Sequence, residues 1–162
     1  MGKKSFAALS AAVLTFAMLA APFAQAAEVT RESYKEAVEP ICKTNVQANE
    51  RILKGVKGKV KAGKLSGAGA QFSKAATALH KAIGKLKAVP QPTADEAKLA
   101  RWIKYIEEEE GYFLQIAKKL KDGNKNGALA MQIRLQHTAT LANNQVLAFE
   151  FKYCHVEPSK FS

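Results

Sequence analysis

ALAMQIRLQHTATLANNQVLAFEFKYC, residues 128–154, has no glycine or proline and is apolar around more than half of a helical circumference. Read as a single helix, it belongs at the centre of a packed structure, because so wide an apolar face has to be covered on several sides. It ends in one of the chain's two cysteines. The other, Cys42, lies close to the far end of the segment that follows residue 26.

Three further helices lead up to this stretch. Residues 94–121 have the cleanest period: Leu99, Ile103, Ile106, Glu110, Phe113, Ala117 and Leu120 alternate steps of four and three, the spacing of a bundle seam. Glu110 is the polar member of that seam. Thr93 and Glu96 have capping-box spacing at its start, Gly123 is placed to cap its end, and Asn126 to open the next helix. Before it, residues 68–88 present Phe72, Ala76, Leu79, Ile83 and Leu86 on one face and stop at Pro90 and Pro92.

The first helix starts near Thr30 or Ser33, where Ser33 and Glu36 have capping-box spacing. Tyr34, Val38, Ile41, Asn45, Asn49, Ile52 and Val56 follow at steps of three and four. Pro40 removes a helical hydrogen bond and predicts a kink, since the apolar phase continues through it. Gly55 and Gly58 each weaken a helix by about 1 kcal/mol relative to Ala, so this one frays by Lys61. The pattern predicts an all-α fold, an antiparallel up-down four-helix bundle with a kinked first helix. An even number of helices brings the chain's ends together, and with them Cys42 and Cys154.

The opening MGKKSFAALSAAVLTFAMLAAPFAQAAEVT has the parts of a cleaved signal peptide over residues 1–26. Lys3 and Lys4 form its basic region, Phe6 to Ala21 its apolar run, and Ala24-Gln25-Ala26 its cleavage site. No cysteine stands at that site to carry a lipid. Residues 27–162 are then one bundle domain, secreted or held in the periplasm or cell envelope. In an oxidising compartment a lone cysteine pair predicts a Cys42–Cys154 disulfide. Neither cysteine belongs to a C-x-x-C-H haem site or to a zinc-type spacing.

With Lys3 and Lys4 removed, 23 basic residues face 14 acidic ones, a balance that favours anionic partners. No acidic residue occurs between Glu50 and Asp95, while ten basic ones do. Antiparallel folding gathers Lys57, Lys59, Lys61 and Lys64 with Lys118, Lys119, Lys121 and Lys125 at the end opposite the cysteines. Glu32, Glu36, Glu39, Asp95, Glu96, Glu150 and Glu157 gather at the cysteine end. Lysines in the last turns of helices also complement helix dipoles. The basic stretch carries Phe72 as its one aromatic, which argues against base stacking and sequence-specific nucleic-acid binding.

Catalytic and metal motifs are thin. Residues 122–127, DGNKNG, fit the first half of an EF-hand, but Ile133 stands where the bidentate Glu is required, so a plain helix–helix turn is expected. Glu110 and His137 fall at matching depth on adjacent helices, and a carboxylate beside an imidazole can bind a metal or move a proton. The expectation is a Glu–His hydrogen bond without metal, because the paired Glu-x-x-His motifs of di-iron bundles are missing. His80 and His155 read as surface residues. Asn45 and Asn49, with Asn143 and Asn144, predict a buried amide network between the first and last helices, in preference to a polar ligand pocket.

The closing LANNQVLAFEFKYC, taken with the upstream EPICKTN, resembles small exported helical proteins of bacteria that have no assigned function. That resemblance carries no functional residue across. The expectation is a non-enzymatic exported bundle, without cofactor, that binds an anionic polymer or membrane surface through its basic end. The alternative is a metal- or cofactor-handling bundle built on Glu110 and His137.

Overall fold

The computed structural model describes residues 28–156. They form α1 (Arg31–Leu53), α2 (Val56–Lys61), α3 (Leu65–Lys87), α4 (Glu96–Lys121) and α5 (Lys125–Gln145). Short 3-10 turns cover Thr93–Asp95 and Leu147–Phe149, and no strand occurs among the described residues. Residues 1–26, expected to be a signal peptide, and Glu157 lie outside the described residues.

The first helix is bent, with Pro40 inside α1 and a break at Gly55, whose φ of 76° ends α1 and restarts the chain as α2. A positive φ costs glycine little and other residues more. The capping box at the start of α1 is one turn earlier than Ser33–Glu36. Thr30 Oγ1 accepts from the Ser33 N–H at 3.1 Å, and Ser33 Oγ accepts from the Thr30 N–H at 3.0 Å. Starting there makes Arg31 the first helical residue, and its guanidinium clamps Asp95 through two bonds of 2.6 and 2.8 Å. Thr93 consequently does not cap α4. It enters a 3-10 turn, and Asp95, taken by Arg31, makes no side-chain cap bond either. Gly123 caps α4 with φ 76°, while Asn124 rather than Asn126 opens α5, its Oδ1 accepting from the Gly127 N–H at 2.7 Å.

Cross-contacts give the helix directions. Lys121 Nζ donates to Ser73 Oγ at 3.0 Å while Lys87 pairs with Glu107 at the other end of α3, so α3 and α4 run oppositely. Gln71 Nε2 donates to the Ile52 carbonyl at 2.6 Å and Arg31 meets Asp95, so α1 opposes α3 in the same way.

The central helix is α4, not the last one. It packs against both α3 and α5, and buries Leu99, Trp102, Ile103, Ile106, Phe113 and Ile116 among others. The stretch 128–154 is not one helix: α5 ends at Gln145, a 3-10 turn follows, and Glu150 at φ 50° sends residues 151–156 back along the molecule. The apolar residues of α5 are spread around its circumference, so only one side is covered. Leu129 and Ile133 remain 56% and 59% exposed, and the buried stripe is mostly small: Ala128, Thr138, Ala139, Ala142.

Close packing of α3 on α4 depends on Gly69. A Cβ there would meet the Ala117 carbonyl oxygen at 2.7 Å and Lys121 Cγ at 2.9 Å. At Gly84, also in α3, it would meet nothing within 4 Å. Gly69→Ala should therefore lower stability by about 1–3 kcal/mol through overpacking, outweighing the helix-propensity gain. Gly84→Ala should raise stability by about 0.5–1 kcal/mol. Urea unfolding of the two variants checks both signs.

Candidate functional site

Two regions are candidate sites, the basic end and a cleft beside α1. At the basic end, α2 and the last turn of α4 both lie against the first turns of α3. A Cβ at Gly67 would sit 3.9 Å from Lys59 Cδ, and Gly69, two residues on, abuts Lys121. Lys57, Lys61, Lys64, Lys118, Lys121 and Lys125 are exposed; Lys59 and Lys119 are half-buried. Among these eight, Lys118 is paired with Asp122 at 2.8 Å and Lys121 holds Ser73.

The cleft exists because the helices do not close on one another. α1 packs on α3 and meets the 3-10 turn at 147–149, but shares no extended seam with α4 or α5. The side of α4 facing α1 is thereby left open, and the returning residues 152–156 line the gap without filling it. The result is a cleft of about 790 Å³, within the range of small-molecule sites. Its floor is Trp102, Ile106, Glu109 and Phe113 of α4 with Leu79, Ala82 and Leu86 of α3. One wall is α1, from Cys42 to Lys54, and the other is Lys152–Val156. Twelve residues of helix make that wall about 18 Å long.

The returning segment is clamped in three ways. Cys42 and Cys154 form the disulfide, with 5.0 Å between their Cα atoms. Glu39 accepts from the backbone N–H groups of Lys152 and Tyr153, the latter at 2.9 Å. Asn143 brackets Val156, donating to its carbonyl at 2.6 Å and accepting from its N–H at 3.0 Å. The buried amides thus hold no network between α1 and α5. Asn143 is spent on the returning backbone, Asn144 is exposed, and Asn49 Nδ2 reaches only Asn45 within α1, at 3.3 Å. The chain turns back at Glu150 and comes between the partners that a continuous last helix would have brought together. Asn45 and Asn49 instead line the cleft.

No family model, curated protein or solved structure matches this chain.

The chemistry of the cleft centres on Glu109. This residue is 3% exposed, and its Oε1 has no hydrogen-bond partner. Burial pushes its carboxyl up to about 8, because removing water penalises the charged form. Asn49 Oδ1 is likewise buried without a partner. The seam of α4 therefore passes through Glu109 and not Glu110. Glu110 sits at the α3 side, where both of its oxygens lie 3.2 Å from Nδ1 of His80, a residue that is 74% exposed at its side chain. His137 is exposed on α5, away from that pair. The Glu110–His137 contact does not form because α4 turns Glu110 toward α3. Among the described residues no group of three or more His, Cys, Asp or Glu gathers as a metal site.

Proposed function

We propose that this protein is an exported, non-enzymatic helical bundle that binds an anionic, phosphate-bearing polymer or surface of the cell envelope through its basic end. Export is supported by the signal-like residues 1–26 and by the disulfide, which persists in oxidising compartments. No helix among the described residues is long and apolar enough to cross a membrane.

The observation that carries the reading is that two lysine groups remote in sequence both flank the first turns of α3. Gly55 frees α2 to lie along the start of α3, and the last turn of α4 lies against the same turns of α3 from another side. Eight lysines then share one end, with Asp122 the carboxylate paired among them. The metal- or cofactor-handling alternative is built on a Glu110–His137 pair, whereas Glu110 pairs with His80.

The test compares two equal changes of charge. Lys57→Glu with Lys61→Glu should weaken binding to polyphosphate and lower the slope of log affinity against log salt by about two, one for each lost contact. Lys85→Glu with Lys87→Glu, at the other end of α3, should leave that slope nearly unchanged. Equal losses from both pairs, or no binding at low salt, would overturn the reading.

A further inference from the structure

The cleft has the features of a built site for a small molecule, independent of the basic end. Its floor and walls are largely apolar, from Val46 and Leu53 on α1 to Leu79, Trp102 and Phe113 opposite. Two polar groups on facing elements, Glu109 of α4 and Asn49 of α1, are more than nine-tenths buried there and each has an unpartnered oxygen. Unpartnered buried oxygens are destabilising, so a fold that keeps two of them in one cavity has a use for them elsewhere than in folding. We propose that the cleft binds an uncharged, mainly apolar molecule bearing a hydroxyl group, with Glu109 and Asn49 as its hydrogen-bonding residues.

An uncharged head fits better than either ion. Asn49 Oδ1 can only accept, so the ligand must supply a donor, which a carboxylate or phosphodiester head does not. Burial keeps Glu109 largely protonated at neutral pH, so it can give a proton to a hydroxyl oxygen as well as accept from a hydroxyl hydrogen. An ammonium head would be repelled by Lys54 and Lys152 at the mouth, where Glu50, Tyr153 and His155 are the other titratable groups, and it would need Glu109 to ionise against its burial. The α3 wall, Leu79, Ala82 and Leu86, contributes no charge. A hydroxyl satisfies the orphaned oxygens without burying an ion.

Trp102 lines the cleft and is the chain's single tryptophan, so its emission reports occupancy directly. The purified, oxidised protein is titrated with decan-1-ol, decyl methyl ether, decylammonium and decanoate, which share a ten-carbon chain and differ at the head. Decan-1-ol should bind about tenfold more tightly than the ether, which can accept but not donate, and should bind more tightly than both ions. Glu109→Leu combined with Asn49→Leu should abolish the preference of alcohol over ether while leaving the ether bound, and Ala82→Phe should block both by filling the floor. A thermal melt at or above the wild-type value shows that the double variant folds. Decylammonium binding tightest, an alcohol preference that survives in the double variant, or no change in Trp102 emission with any of the four would overturn the proposal.

Discussion

Reduction of the Cys42–Cys154 disulfide should lower the melting temperature by roughly 15–20 °C, the largest effect of any single covalent change. The bond spans 112 residues of sequence, and cross-linking so long a loop removes about 4–5 kcal/mol of chain entropy from the unfolded state. Both cysteines are buried, and the bond fixes the wall of the cleft to α1. Glu39 and Asn143 still hold the returning segment after reduction, so the loss should appear as early melting of a folded protein rather than as no fold at all. Calorimetry with and without reductant measures it. A shift under about 5 °C would show that the unfolded chain is already restrained or that the bond is strained.

The second large effect is a fall in stability with rising pH that belongs to Glu109. An unfolded glutamate titrates near 4.3, whereas the folded group is pushed up to about 8. Between those values the folded state holds one more proton than the unfolded state, so the contribution is complete below the unfolded value and is lost as pH rises through 8. The slope is at most about 1.4 kcal/mol per pH unit, a difference of roughly 3–5 kcal/mol between pH 5 and 8. Asp95 works in the opposite sense. The hydrogen-bonded guanidinium of Arg31 holds its carboxyl below the ordinary range, so the pair stabilises at neutral pH and is lost in acid. Subtracting the pH profile of Glu109→Gln from that of the wild type isolates the first term. Parallel profiles would contradict it.

Much of the fold was legible because helical period survives without knowledge of partners. Leu79, Ile83 and Leu86 of α3 and Tyr34 and Val38 of α1 are buried as their spacing predicts, and the two cysteines join. The phase of α4 was not settled by its aliphatic residues. Ile106 and Phe113 are seven apart, so either Glu109 or Glu110 completes the stripe, and the run Glu107–Glu110 offers a carboxylate at both. Trp102 and Ile116, each seven residues from Glu109, carry the deciding signal, and both are buried. The end of α5 left no such signal. Nothing in VLAFEF forbids helix, and the turn at Glu150 is imposed by tertiary contacts, with Phe149 and Phe151 packing at 5.2 Å under α1. The cleft was illegible for a related reason: it arises from a seam between α1 and the other helices that does not close, and no residue type marks an absent contact.

The measurement closest to this chemistry is a carbon-detected NMR titration of the side-chain carboxyls, with Glu109 assigned by loss of its resonance in Glu109→Gln. A folded protein that holds this carboxyl in the floor of the cleft, without a cationic partner, should show Glu109 titrating near 8, far above the 4.3 of an unfolded glutamate. Titration of Glu109 near the unfolded value of 4.3 would mean that water or a cation reaches it freely, and the cleft would then lack a buried neutral acid.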